Sequence, residues 1–255
     1  CLILLGDRNQ VMNLNVDHTF VVHVSEGSED REKSVSEQLN SRKIPFEFML
    51  RGDLKDITPE IQQEYFSDYL LGDLIPGTSC SLKHIYILEE IVKRKLDRVL
   101  ILEDDIFLDK DFVSICNKAL EETTDESRNF PLNYFLALEN NRKFVPKTEE
   151  VEGRYLYEED RVRFGGAYIV TYGTAKAILN YIKEFKCNMI IDSLYTVICR
   201  DGLFSIYWIH PPIAEQGSHN GKFKSLLDEK RHGLFQRLNW KVQTAFKGKI
   251  RRRFK

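Results

Sequence analysis

"RVLILEDDIFL", residues 98–108, decides the fold. Val99, Leu100, Ile101 and Leu102 are apolar at consecutive positions, so an extended chain here is apolar on both faces. That is the signature of a central strand in a parallel sheet covered by helices on either side. The apolar run stops at Glu103, Asp104 and Asp105. Ligands of open α/β sheets gather at the carboxyl ends of strands, so these three acids mark a candidate site. While the chain stays extended, Glu103 and Asp105 point to one face and Asp104 to the other. Two like charges about 5 Å apart cost roughly 3 kcal/mol at an effective dielectric of roughly 20. The cluster is favourable only if a cation joins the acids or one keeps its proton. Hard oxygen donors suit Mg2+ or Mn2+, commonly shared with substrate phosphates. The other reading of the triplet is ordinary: one carboxylate caps the next helix and the others face solvent.

Strands and helices alternate on both sides of this segment. "TFVVHV" (19–24), "IPFEFML" (44–50), "NYFLALE" (133–139), "RVRFGGAYIVTYG" (161–173) and "LFSIYWI" (203–209) read as strands. Between them, "SEDREKSVSEQLNSR" (28–42) is helical, with Val35 and Leu39 on one face. "TPEIQQEYFSDYLL" (58–71) predicts a helix with Thr58 as N-cap and Pro59 in the first helical position. "SLKHIYILEEIVKRKL" (81–96) aligns Leu82, Ile85, Leu88, Ile91 and Val92 along one stripe. "FVSICNKALEE" (112–122), "TAKAILNYIKEF" (174–185) and a short helix in "IIDSLYTVICRDG" (190–202) complete the set. Residues 140–162 read as a loop or short hairpin around Tyr155–Tyr157. Strand alternating with helix predicts an α/β domain with an open, mainly parallel sheet flanked by helices. No G-x-G-x-x-G or Walker loop is present, so neither a dinucleotide site nor a P-loop has its signature.

The composition is that of a folded globular chain: 255 residues, 42% apolar and 30% charged. The net charge of −2 conceals an asymmetry, because Arg237 to Lys255 holds eight Lys/Arg and no acid. The five cysteines, Cys1, Cys80, Cys116, Cys187 and Cys199, are odd in number, widely spaced and without a C-x-x-C pair. That argues against a disulfide framework or zinc knuckle and for a reducing compartment. No apolar run reaches the roughly 18 residues of a membrane span. Met12 is a candidate natural start, which makes residues 1–11 foreign or processed. The expected division is a domain over 12–231 and a basic tail over 232–255.

Four segments, in order, resemble glycosyltransferase family 25, which includes bacterial lipooligosaccharide galactosyltransferases and collagen galactosyltransferases. They are the Arg-bearing helix start "SEDREKSVSEQL", the helix "CSLKHIYILEEI", the motif "VLILEDDIFL", and the group "FGGAYIVTYGTAKAIL", "IIDSLY" and "IHPPIAEQGSHNG". The resemblance implies a GT-A type fold, a UDP-sugar donor, Mn2+ or Mg2+ as cofactor and transfer with inversion. Carried over position by position, Glu103, Asp104 and Asp105 become the metal site, with His219 of "SHNG" as a further ligand. Asp192 becomes the base that takes the acceptor's proton; it is equally placed to cap the helix that follows. Arg31, Asp53, Lys83, His84, Gly166, Gln216 and Ser218 become donor contacts. Two positions depart from the family pattern: Lys83 stands where serine is usual and Ser79 where glycine is usual. A lysine at 83 could reach a diphosphate.

The tail "LFQRLNWKVQTAFKGKIRRRFK" spaces Phe235, Leu238, Val242, Phe246, Ile250 and Phe254 for a helix with Lys and Arg on its other face. This pattern fits docking on an anionic membrane surface. No RNA-binding signature accompanies it, so no nucleic-acid partner is expected. The leading expectation is a metal-dependent inverting transferase that moves a hexose, galactose by resemblance, from UDP-sugar to a glycan or glycolipid acceptor such as lipopolysaccharide core. Its expected place is cytoplasmic, peripheral at the inner membrane face. The alternatives are a sugar nucleotidylyltransferase, whose Gly-rich nucleotide loop is missing from "VVHVSEGSEDRE", and a non-catalytic assembly module on the same fold.

Overall fold

The apolar run of residues 99–102 forms an interior strand of a seven-stranded sheet, and the strands that run in its direction bring His23 and Glu139 to the same edge. The computed structural model describes residues 12–24, 26–67, 75–140, 145, 148–220 and 222–223, and only the backbone of 219–220. The first half comprises β1 (His18–Val22), α1 (Glu29–Ser41), β2 (Glu47–Met49), α2 (Pro59–Tyr65), α3 (Pro76–Arg94), β3 (Arg98–Glu103), β4 (Ile106–Leu108) and α4 (Phe112–Glu122). The second comprises β5 (Tyr134–Ala137), β6 (Leu156–Glu159), β7 (Ala167–Thr171), α5 (Tyr172–Phe185), α6 (Ile191–Arg200), β8 (Ser205–Ile209), β9 (Ala214–Gln216) and α7 (Gly217–Asn220).

The sheet runs β2–β1–β3–β7–β5–β8–β6. β1 pairs in parallel with β2 and β3, and β5 with β8; β7 is antiparallel to both β3 and β5, and β6 to β8. Strands β2, β1, β3, β5 and β8 therefore share one direction. This is the open, mainly parallel α/β sheet that the alternation predicts.

Alternate residues of β3 serve two cores. Val99 and Ile101 join the cluster with Leu82, Ile85 and Leu88 of α3, Ile178 of α5 and Leu194 of α6. Leu100 and Leu102 join Val35 and Leu39 of α1 and Phe112, Cys116 and Leu120 of α4. Each such side chain, fully buried, contributes about 1.5–3 kcal/mol. Two layers of helix on a doubly apolar strand leave only its carboxyl end open to a ligand.

Helix ends differ from expectation for identifiable reasons. α3 begins at Pro76, five residues before the stripe that predicts it; Pro76 occupies the first turn, and the Thr78 hydroxyl accepts from the Ile75 N–H. α2 has the expected Thr58 cap but stops at Tyr65, because Phe66 turns extended and bridges Cys187. The rest of the expected 58–71 helix lies largely outside the described residues. The island around Tyr155–Tyr157 is edge strand β6. The basic tail, with its expected amphipathic helix, also lies outside them. Among the described residues no helix is long and apolar enough to cross a membrane.

Candidate active site

β3 ends at Glu103, and Asp104 and Asp105 form a tight turn that leads straight into β4. β4 pairs with β9, setting Ile106 opposite Gln216. A segment more than a hundred residues downstream is thereby laid against the acids. The Gly217 N–H donates to the Asp105 carbonyl at 2.7 Å and the Ser218 N–H to Asp105 Oδ2 at 3.0 Å. Gln216 Nε2 donates to Glu103 Oε2 at 3.3 Å.

The three acids have different surroundings. Asp104 is buried and engaged on both oxygens: His23 Nδ1 donates to Oδ2 at 2.8 Å, and Arg31 donates to Oδ1 at 3.0 Å. Asp105 is 3% exposed, and its Oδ1 makes no hydrogen bond among the described residues. Burial, followed by the charge of Glu103, pushes the Asp105 carboxyl up to about 6. Glu103 lies 3.6 Å from His84 Nε2 and 3.7 Å from Cys80 Sγ.

A fourth acid completes the corner. Glu139 follows β5, is 1% exposed, and accepts from the Gly166 N–H at 3.1 Å through Oε2. Its Oε1 makes no hydrogen bond among the described residues. Burial and then the charge of Glu103 drive its carboxyl well above the usual carboxylate range. Gly166 also gives its carbonyl to the Glu103 N–H at 2.7 Å, so its backbone lies between the two acids. A Cβ at this glycine would fall 2.5 Å from Gln216 Nε2 and 2.6 Å from Glu139 Oε1. A side chain here would have to push aside the ends of both the Gln216 and the Glu139 side chains.

These groups open on a cleft of about 340 Å³. Its lining includes Arg31, Asp53, Lys83, Glu103, Asp104, Asp105, Gln216 and Ser218, all expected from the sequence, together with His23, Ser79 and Cys80. Three other expected residues do not line it. His84 is fully buried behind the cleft, its Nδ1 2.7 Å from the Tyr168 hydroxyl. Gly166 supports the acids from behind. Asp192 sits half-buried in the first turn of α6, where burial first and the charge of Glu103 later raise its carboxyl. It is not the cap of α6, which is Ile190; its Oδ1 accepts from the adjacent Ser193 N–H at 2.6 Å. The side chain of His219 lies outside the described residues.

Lys83 lines the cleft and is already engaged by its own protein. It is 1% exposed, and its ammonium is 2.8 Å from Asp53 Oδ1 while donating to the Leu50 carbonyl at 3.1 Å and the Arg51 carbonyl at 3.3 Å. Two of its protons go to carbonyls and its charge pairs with Asp53, so it fastens the turn before α2 to α3.

The acids present fit a divalent cation. Asp105 Oδ1 is an oxygen donor with no hydrogen bond among the described residues, and Glu103 faces the same cleft. Asp104, held on both oxygens by His23 and Arg31, fits less well as a direct ligand and better as the group that fixes Arg31 at the cleft wall.

Residues 17–195, about 70% of the chain, match the model of the family described as "Glycosyltransferase family 25 (LPS biosynthesis protein)". The chain belongs to glycosyltransferase family 25. This family 25 member is therefore a glycosyltransferase, built on a mainly parallel α/β sheet. None of the curated proteins matches it. Solved structures similar to this transferase superpose only loosely. One is "a glycosyltransferase involved in the glycosylation of the major capsid of PBCV-1", at 12% identity and TM-score 0.36, covering 71% of this chain and 73% of that one. Another is the catalytic domain of Drosophila beta1,4galactosyltransferase 7 in complex with xylobiose, at 11% and 0.42, covering 88% and 78%. A third is mannose-1-phosphate geranyltransferase from Thermus thermophilus, at 10% and 0.35, covering 84% and 65%.

His23 and Glu139 are the site residues that the sequence reading passed over. Both carried a signal. "FLALE" ends an apolar strand in an acid just as "LILE" does, and His23 follows the strand paired in parallel with β3.

Proposed function

We propose that this transferase moves a hexose from a nucleotide-diphosphate sugar, UDP-galactose by family resemblance, to a hydroxyl of a lipopolysaccharide-type glycan, with inversion at the anomeric carbon. The observation that carries the reading is Glu103 beside Asp105, whose buried Oδ1 makes no hydrogen bond among the described residues, in the lining of a cleft of about 340 Å³. Glu103 and Asp105 would hold Mn2+ or Mg2+, with His219 a further candidate. Such an ion, when bound, supplies positive charge against the departing diphosphate. Arg31, fixed by Asp104, adds a second positive group at the cleft wall.

Asp192, outside the cleft lining but near enough to Glu103 for their charges to interact, takes the proton by family resemblance. Its raised carboxyl is a better proton acceptor than an ordinary exposed aspartate. In the step, the acceptor oxygen forms a bond to the anomeric carbon from the face opposite the leaving group. The bond from that carbon to the diphosphate breaks with its electron pair, and the acceptor's proton passes to Asp192. The basic tail, read from sequence, would hold the enzyme at an anionic membrane surface on the cytoplasmic side, where glycolipid acceptors are presented.

The test is UDP release from a panel of UDP-sugars with Mn2+, with and without glycan acceptors. Release is expected to depend on the metal, to stop with EDTA, and to be lost in Asp105→Ala. Pyrophosphate released from UTP and a sugar phosphate would replace this reading with nucleotidylyl transfer. Silence across the panel with nucleotide binding retained would leave a binding module.

A further inference from the structure

The inner wall of the cleft carries a donor set of a different chemical kind. Cys80 and His84 lie one turn apart on α3, so both side chains leave the same helix face. Glu103 Oε1 stands 3.7 Å from Cys80 Sγ and 3.6 Å from His84 Nε2, and the three donor atoms all fall within 4.8 Å of one another. Ligand atoms about 2.0–2.3 Å from a tetrahedral Zn2+ are roughly 3.5 Å from each other. The observed spacings therefore need only small side-chain adjustments to meet on one ion.

His84 gives the independent indication. It is fully buried, and Nε2 makes no hydrogen bond among the described residues although it faces a carboxylate. The Tyr168 hydroxyl, itself 3.1 Å from the Tyr195 hydroxyl, lies 2.7 Å from Nδ1. A proton on Nδ1, donated to Tyr168, leaves the Nε2 lone pair aimed at Glu103. That is how a metal-binding imidazole is oriented, its second nitrogen fixed by a hydrogen bond. With that tautomer, the Nε2 lone pair and the Glu103 carboxylate repel unless a cation lies between them.

We propose that Cys80, His84 and Glu103 form a binding site for Zn2+, separate from the site proposed for the hard Mn2+ or Mg2+ ion but sharing Glu103 with it. A thiolate and an imidazole select zinc over manganese or magnesium. On binding, the Cys80 thiol loses its proton to solvent and sulfur bonds to the metal; no electrons are transferred. The cleft side, lined by Cys80 and Glu103, leaves the fourth position open to water. If the proposed role of Glu103 in transfer holds, zinc here withdraws Glu103 from the catalytic ion and inhibits the enzyme.

Co2+ is the probe, because a cobalt–thiolate bond gives a near-ultraviolet charge-transfer band. One equivalent of Co2+ added to the full chain is expected to produce that band, and Zn2+ to bleach it. The band should be absent in Cys80→Ser and present in Cys116→Ser. Without any variant, one equivalent of Zn2+ should slow alkylation of Cys80, read by peptide mass, about tenfold or more. No band in the wild type, a band that survives Cys80→Ser, or an unchanged alkylation rate overturns the site. Both readings omit the sugar nucleotide, so an inactive chain that gives the band and the protection keeps the zinc site and loses only the transfer reading.

Discussion

Asp105 is where the chemistry of single residues is most exposed to measurement. Its carboxyl ordinarily titrates near 3.8 and here is pushed up to about 6 by burial and by Glu103. In a metal-free chain the raised value means stability that is full below pH 3.8 and is lost as pH rises through about 6. A cation binding to Asp105 must displace that proton at lower pH. Mn2+ affinity should therefore fall about tenfold per pH unit below about 6 and level off above it. Titration of free Mn2+ by electron paramagnetic resonance between pH 5 and 8 checks this, with Asp105→Asn expected to bind weakly and without that slope. A flat profile in the wild type would mean that Asp105 carries no proton for the metal to remove. The residue identities of this corner were legible because three adjacent acids break an apolar run. What each acid does was not, since Asp104 is committed to His23 and Arg31 by contacts that cross strands and helices. His219 remains a sequence expectation.

Among the elements, α3 has the widest reach: its first turns wall the cleft, its middle holds Lys83, and its apolar stripe lies on the sheet. Lys83 and Asp53 form an ion pair with both partners under 10% exposed, tying α3 to the turn before α2. Removing one partner leaves the other charge buried alone. Lys83→Met should lower unfolding free energy by about 3 kcal/mol, measured as a shift in urea midpoint. A loss under about 1 kcal/mol would show that water reaches Asp53 readily. The strand and helix types followed from apolar periodicity, and β3 and α4 have the expected limits. The start of α3 did not, because "IPGTS" reads as a turn until Pro76 is placed in the first helical turn. The partners of Lys83 were not legible for a related reason: sequence gives the charge of a side chain but not which acceptors surround it.

At the scale of the molecule, alternating strand and helix made the mainly parallel sheet readable. The antiparallel insertion of β7 between β3 and β5 was not, since strand direction depends on connections rather than local pattern. The β4–β9 pair was also missed; its strands are three residues each, and the residues they join are far apart in sequence. The basic tail belongs to this scale because it concerns where the whole enzyme resides. The full chain should float with liposomes containing anionic lipid and a chain ending at Arg231 should not, with the difference shrinking at high salt. Equal flotation of both removes the docking role.

The β4–β9 ladder also imposes an order in time. Among the described residues, Asp105 receives its backbone donors from Gly217 and Ser218, so a chain still being made lacks a finished acid corner until nearly the entire sheet has left the ribosome. Under the role proposed for this corner, translation products truncated before Gly217 should be inert rather than promiscuous.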